Sequence, residues 1–248
     1  MRRFFVDPNN FSGSTAFLSG SEAHHIAAVL RLPAGTRITL FDGSGSFYEA
    51  IITKISPKKI ETAIETITPY LPIDQEQHSR VHLGQAIIKG KKMDLIIQKA
   101  TELGVDTISA FKSTYSAIKS TPKNRVERWT KIALEACKQC NRPKPPDLHA
   151  PGNFNEFLKS TKENSDDLKL IFWEEERQTS LQDIFQQHDS IRSVLLLIGP
   201  EGGFSPAEAE QAMAHGFQPV TLGSKILRAE TAAIAAIAVL QYQLKNLS

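Results

Sequence analysis

Two segments near the carboxy end carry the residue types suited to chemistry. The first is Ile198-Gly199-Pro200-Glu201-Gly202-Gly203-Phe204-Ser205-Pro206, where the apolar run Val194–Ile198 stops at a glycine-rich turn. Ser205 is placed to cap a following helix, Pro206 fits its first position, and Glu208 completes an S-x-x-E capping box. The second, Pro219 to Ala232, again reads strand, glycine turn and helix start, with Arg228 and Glu230 at the turn-to-helix junction. A buried strand that runs into a tight loop and then a helix is where α/β proteins bind ligands. The glycines would let backbone N–H groups approach such a ligand closely. Neither segment is a phosphate loop, because G-x-x-x-x-G-K-S/T and G-x-G-x-x-G are both missing. Glu201 would also repel a polyphosphate in a small site. A neutral or cationic adenosyl ligand fits the loop better.

The two segments combine as G-P-E-G-G-F-S-x-x-E and, after a short gap, L-G-x-x-I-L-R-x-E-T-A. Three further blocks precede them in order. They are Met1-Arg2-Arg3-Phe4-Phe5; His25-x-x-x-Val29-Leu30-Arg31; and the stretch from Lys89-Gly90 through Lys92-Met93-Asp94 to Gly104-Val105. Together the five blocks resemble the bacterial uridine-N3 methyltransferases of small-subunit ribosomal RNA, which belong to the SPOUT superfamily. The resemblance implies an α/β fold whose mostly parallel sheet carries a carboxy-terminal trefoil knot, preceded by a small PUA-like β-barrel that binds RNA. It also implies a homodimer with composite sites, S-adenosyl-L-methionine as cofactor, and small-subunit ribosomal RNA, in the assembled 30S particle, as partner. Pattern alone leads to an unknotted doubly wound sheet, because true knots are almost absent from proteins.

By the same resemblance, three segments build the cofactor pocket. Trp173 and Glu174 follow one strand; Leu197, Ile198, Gly199, Pro200, Glu201 and Gly202 form the second segment; Leu222, Gly223, Ile226, Leu227 and Arg228 form the third. Leu197, Ile226 and Leu227 are expected as apolar walls, and backbone groups of Ile198, Gly199, Gly202, Leu222 and Leu227 as readers of adenine and ribose. Methylation at uracil N3 needs the proton removed and the charge on the flanking oxygens stabilised. Arg228 is the candidate for that charge, since a guanidinium offers several fixed donors. Glu230 is the candidate proton acceptor, although a carboxylate in a first helical turn also answers the helix dipole. Expected RNA contacts are Arg2, Arg3, Arg31, Lys89, Lys92 and Arg142, with His24 and His25 as helpers and Phe4 or Phe5 as stacking partners or core residues. Two alternatives stand beside N3 methylation: methylation of a ribose 2′-hydroxyl, and a non-catalytic RNA-binding assembly factor.

The elements that must position these residues divide the chain at about residue 72. Residues 1–72 read as short strands, with Phe47 to Ile55 and Lys59 to Ile67 alternating apolar and polar residues as half-buried antiparallel strands do. One short helix is expected over Ser21–Leu30, and Pro69 to Ser79 reads as a linker. In 73–248 strands alternate with helices, which predicts a parallel sheet covered on both faces. Strands are expected at Val81–Ile88, Thr107–Phe111, Leu168–Trp173, Val194–Ile198 and Pro219–Leu222. Helices are expected at Lys91–Leu103, closed by Gly104, at Arg125–Gln139, between the last three strands, and at Glu230–Lys245. That last helix is apolar on every face from Ala232 to Leu240, so it needs burial on more than one side.

Charge and composition set limits. The 248 residues carry a net charge of +2, but Lys89 to Lys144 holds thirteen Lys/Arg against five Asp/Glu, a local +8. Asn153 to Ser190 holds four against nine, a local −5, so one side of the molecule is suited to a polyanion. Cys137 and Cys140 form a lone C-x-x-C late in an expected helix, with no second pair to complete a zinc site. No metal site is expected. No apolar run reaches the roughly 18 residues of a membrane span, and the amino terminus has no signal-type apolar stretch, so a cytoplasmic protein is expected.

Overall fold

The computed structural model describes residues 2–56, 58–69, 78–117, 125–161, 168–188 and 190–247. Most of the expected linker, 70–77, lies outside them. The chain divides into two compact units: residues 1–72 with 134–145, and residues 73–133 with 146–248.

The first unit is a six-stranded sheet. Its strands are β1 (Arg3–Phe5), β2 (Phe11–Ser12), β3 (Thr15–Ser19), β4 (Arg37–Phe41), β5 (Ser46–Ile55) and β6 (Lys59–Pro69), in the order β1-β4-β5-β6-β3-β2. All pairings are antiparallel except β1 with β4. The long β5–β6 hairpin carries irregularities at Glu49/Ala50 and Ile52/Lys54, the kind of local bulge that bends and twists a strand pair. Phe4, Leu18, Ile26, Ile38, Leu40, Ile52 and Ile60 form the core on one face. Phe4 is buried there, so it is not available for stacking on a base. The helix expected over Ser21–Leu30 changes character midway. An α-helical turn, α1 (Gly20–His24), passes into a π-helical turn over His25–Val29, closed by the Leu30 N–H on the His25 carbonyl at 2.8 Å. The wider turn brings the His25 ring edge-on to Phe4 and leaves Val29 exposed. Arg31, just beyond, has φ of 49°. Strained turns of this kind gather at functional surfaces.

The second unit is a six-stranded, wholly parallel sheet. Its elements in chain order are β7 (Arg80–Ala86), α2 (Lys91–Glu102), β8 (Thr107–Lys112), α3 (Arg125–Cys140), β9 (Asp147–Asn153), α4 (Phe154–Ser160), β10 (Leu168–Phe172), α5 (Leu181–Gln186), β11 (Ser193–Ile198), α6 (Pro206–Ala214), β12 (Gln218–Val220) and α7 (Ala229–Gln243). Helix α3 crosses the division, its residues from Leu134 grouping with the first unit. The strand order is β12-β10-β11-β7-β8-β9. Helix α2 forms because Met93, Ile96, Ile97, Ala100 and Thr101 recur at helical spacing and are buried together. It ends where Gly104, at φ of 82°, allows Val105 N–H to bond Ala100 O and Gly104 N–H to bond Thr101 O. Helix α7 buries Ala233, Ala236, Ile237 and Leu240 against the sheet and α2, while Val239 and Tyr242 stay exposed.

Two elements were not anticipated. Strand β9 contains Pro151 and Gly152, which hide an edge strand from any search for alternation. Helix α4 has a capping box, with Asn153 Oδ1 accepting the Glu156 N–H at 2.8 Å and Glu156 Oε2 accepting the Asn153 N–H at 2.9 Å. The N-x-x-E spacing ahead of an apolar run was its sequence signal. Its Phe157 stacks on Phe111 and fills space above Gly84, where a Cβ would lie 2.5 Å from the ring.

A part-buried polar chain crosses this sheet, from half-buried His82 through buried Ser109 to exposed His149. His82 Nε2 lies 2.9 Å from Ser109 Oγ, which lies 3.0 Å from His149 Nδ1. Burial, helped by the nearby His149 charge, lowers the His82 pKa to about 4. The folded protein therefore binds fewer protons here than the unfolded chain, so the stabilising contribution is complete above pH about 6.5 and is lost as pH falls toward 4. Its full size is about 3 kcal/mol. Urea unfolding of the wild type and His82→Gln from pH 7 to 4.5 tests this. The wild-type advantage should shrink with acidification, and a gap that stays constant over that range rules the linkage out.

Candidate active site

The carboxyl ends of β10, β11 and β12 lie side by side, with Phe172 in register with Ile198 on one side and Val220 on the other. Such adjoining strand ends, with loops that diverge to different helices, make the crevice that α/β sheets use for ligands. Here the loops after all three strands enclose a cavity of about 410 Å³. Its size falls in the range of small-molecule sites, roughly 300–1,000 Å³.

Ten of the residues singled out from sequence line this cavity: Trp173, Glu174, Ile198, Gly199, Pro200, Glu201, Leu222, Gly223, Ile226 and Leu227. Ile226 is 90% exposed, an apolar side chain on the loop after β12. Leu197 does not line the cavity. Alternation along β11 turns it to the other face of the sheet, into the cluster of Phe111, Phe157 and Phe204. Gly202 and Arg228 are also outside the lining. Arg228 is the exposed N-cap residue of α7, between the lining residues Leu227 and Ala229, and its guanidinium pairs with no carboxylate among the described residues.

The glycine-rich loop is built differently from its sequence reading. Its glycines make room for protein atoms. A Cβ on Gly199 would meet the Phe204 ring at 3.2 Å, and one on Gly202 would meet Tyr115 Cβ at 2.9 Å. At Gly203, with φ of 70°, a Cβ would meet Glu174 Oε1 at 2.4 Å. Side chains from neighbouring elements thus pack directly on the loop backbone. The expected capping box is present, with Ser205 Oγ donating to Glu208 Oε2 at 2.9 Å and accepting the Glu208 N–H at 3.3 Å. Glu208 also accepts the Thr114 N–H at 2.8 Å.

Sequence reasoning missed several lining residues, the charged Glu176 and Arg177 among them. The acidic run Glu174-Glu175-Glu176 directly after an apolar strand was the available signal. Glu176 accepts the N–H groups of Thr179 at 2.9 Å and Gln178 at 2.7 Å, and these hold its carboxyl below the usual range. Glu174, Glu176 and Glu201 face Arg177 and Lys225 around the cavity, an excess of negative charge that suits a ligand with a cationic centre. Trp173, also in the lining, has a buried indole Nε1 without a hydrogen-bond partner among the described residues.

Glu230 stands in the first turn of α7. Its Oε2 is buried, has no hydrogen-bond partner among the described residues, and lies 3.5 Å from Lys92 Nζ in a geometry that makes an ion pair only. Lys92 also lies 3.7 Å from Glu201 Oε1. Lys89 is exposed and donates its backbone N–H to the same Glu201 oxygen at 3.1 Å. The remaining basic candidates are in the other unit. Arg2 and Arg31 are exposed, while Arg3 is half-buried with its guanidinium 5.8 Å from the centre of the Phe47 ring. Arg142 is half-buried after α3, its charge opposing the burial that pushes the Cys137 thiol up to about 12. Neither Cys137 nor Cys140 is in a disulfide. Among the described residues no group of three or more His, Cys, Asp or Glu side chains is arranged to hold a metal, and no helix is long and apolar enough to cross a membrane.

Comparison with known proteins places this geometry. Residues 75–241 match a family described as an RNA methyltransferase domain, and residues 18–65 match an RNA methyltransferase PUA domain. The chain is 36% identical over 235 residues to the ribosomal RNA small subunit methyltransferase E of Buchnera aphidicola from Schizaphis graminum, covering 93% of this chain and 92% of that protein. The same enzyme of Buchnera aphidicola from Acyrthosiphon pisum is 34% identical, with 96% and 92% covered. A crystal structure of ribosomal RNA small subunit methyltransferase E from Neisseria gonorrhoeae, bound to S-adenosyl methionine, superposes with a TM-score of 0.84 at 36% identity, covering 98% of this chain and 97% of that one. With 36% and 34% identity over nearly the whole chain and a methyltransferase family match over residues 75–241, this chain belongs to the ribosomal RNA small subunit methyltransferase E family.

Proposed function

We propose that the protein methylates N3 of one uridine in small-subunit ribosomal RNA, using S-adenosyl-L-methionine and acting on the assembled 30S particle in the cytoplasm. The observation that carries this reading is the acidic cavity at three adjacent parallel strand ends, with Arg228 and Glu230 at the start of the helix that follows it. The S-adenosyl methionine bound to the Neisseria gonorrhoeae relative supports the choice of cofactor. When bound, that cofactor supplies an electrophilic methyl group on a cationic sulfur. Glu174, Glu176 and Glu201 favour the cation, Trp173 offers an unpartnered N–H, and Leu222, Ile226 and Leu227 supply apolar surface. Backbone groups of Ile198, Gly199 and Leu227 are assigned to adenine and ribose. In this reading the carboxy-terminal segment threads the trefoil knot of the resembling enzymes.

Uracil N3 is a poor nucleophile until its proton leaves. Glu230 holds an acceptor oxygen with no hydrogen bond of its own among the described residues, which suits it to receive that proton. Arg228, free of any carboxylate partner there, directs its donors at the uracil oxygens as negative charge develops. The amino-terminal unit, with Arg2, Arg3, Arg31 and Arg142, holds RNA by its phosphates and leaves the chemistry to the other unit. Val239 and Tyr242 on α7 remain exposed, and a second copy of the chain would cover them.

Three measurements test this. Incubating the protein with labelled cofactor and unmodified small subunits should place label on N3 of a single uridine, mapped by nuclease digestion and mass spectrometry, with naked RNA a poorer substrate. Label on a ribose 2′-hydroxyl, or none, replaces the reading with one of its alternatives. Arg228→Ala should lower kcat/KM about 10²–10³-fold while leaving cofactor affinity within about threefold; near-normal turnover removes Arg228 from the mechanism. Sedimentation equilibrium should report twice the 27.5 kDa chain mass, and a monomer at every concentration dismisses the dimer.

A further inference from the structure

Lys92 lies in the first turn of α2, between two carboxylates from different parts of the chain. Its ammonium is 3.7 Å from Glu201 Oε1 and 3.5 Å from Glu230 Oε2. Glu201 belongs to the cavity-lining loop after β11, and Glu230 to the start of α7. The junction is tightened from a third direction. Glu201 Oε1 accepts the Lys89 N–H at 3.1 Å, directly ahead of a helix whose N-cap, Gly90, brings no side-chain cap. A carboxylate at that point also faces the positive end of the α2 dipole. The Glu230 side chain is only 14% exposed, and its inner oxygen has Lys92 as its one cation within ion-pair distance among the described residues.

Electrostatics argue against a phosphate contact here. One ammonium set against two carboxylates leaves the junction net negative, and an RNA phosphate brought to Lys92 would meet both. We infer that Lys92 is a positioning residue: it holds the Glu201 loop and the Glu230 carboxylate in one arrangement, so that the cavity wall and the proton acceptor are set together. This corrects the reading of Lys92 as an RNA contact, and it rests on the proposed methyl transfer. Without the cation, Glu201 and Glu230 repel each other across the gap, and Glu230 loses the charge that fixes its direction.

The test compares wild type, Lys92→Met, Lys92→Arg, Glu201→Gln and the Lys92→Met/Glu201→Gln double variant on small subunits. Wild-type turnover comes first; its absence sinks the proposed function and, with it, this role for Lys92, whereas the variant outcomes below judge the role alone. Given turnover, Lys92→Met should lower kcat roughly 10–100-fold at saturating substrates, with KM for RNA within about twofold and an unchanged salt dependence of RNA binding. Lys92→Arg should recover to within about fivefold of wild type, because its guanidinium reaches both carboxylates. Glu201→Gln should lose kcat in the same direction, and the double variant should be no worse than Lys92→Met, since both remove one shared contact. The inference is overturned if Lys92→Met keeps its kcat but needs more RNA, with a salt slope smaller by about one. It is equally overturned by wild-type behaviour of Lys92→Met, by a Lys92→Arg as impaired as Lys92→Met, or by additive losses in the double variant. Should Lys92→Met fail to fold, the kcat of Glu201→Gln and of Lys92→Arg decides by the same criteria.

Discussion

Glu208 is buried, and a buried carboxylate persists only where donors meet its charge. It is met by the Ser205 N–H and hydroxyl at 3.1 and 2.9 Å, the Thr114 N–H at 2.8 Å and the Ser113 hydroxyl at 3.3 Å. The first two begin α6; the last two come from the chain just past β8. One charge therefore ties the glycine-rich loop to a strand well removed in sequence, and charge-assisted bonds of this kind are about twice as strong as neutral ones. Phe204, seated between Gly199 and the Phe111–Phe154 cluster, holds the same loop by packing. With both ends of the loop held, the cavity wall after β11 has little freedom to collapse.

The other walls are held in the same economical way. Glu174 packs on Gly203, so the loop after β10 braces the loop after β11. The loop after β10 is itself tied to the start of the third segment, where the Thr221 backbone N–H bonds Thr179 O at 2.9 Å and the Trp173 backbone N–H bonds Val220 O at 3.4 Å. The three loops thus form one braced rim whose charges, chiefly carboxylates, point to a cationic ligand. Preorganised walls of this sort bind without first ordering the chain, which is how a site gains affinity and direction together.

Much of this was legible in the residues. Period-two alternation marked β5 and β6, helical spacing marked α2, Gly104 marked its end, and Ser205-Pro206 with Glu208 marked the start of α6. The signals were local, so they survived without knowledge of the fold. Strand β9 was lost because Pro151 and Gly152 break the alternation that reveals a strand. The expectation of one helix over Ser21–Leu30 fails midway, because nothing in the composition of His25–Val29 announces a π-helical register.

Side-chain direction marks the boundary between the two kinds of knowledge. Residue order alone determined that two strand–glycine–helix crossings lie close together, that Arg228 and Glu230 begin the last helix, and that this helix is apolar on all sides. Those statements depend on spacing along one element. Only the tertiary structure decided that Leu197 turns into the core while Ile198 turns to the cavity, that the loop glycines yield to Tyr115, Phe204 and Glu174, and that Lys92 stands between Glu201 and Glu230. Most of these depend on which strands become neighbours, and partners drawn from separate segments, Lys92 with Glu201 and Glu230 across more than a hundred residues, leave no periodic trace in either one.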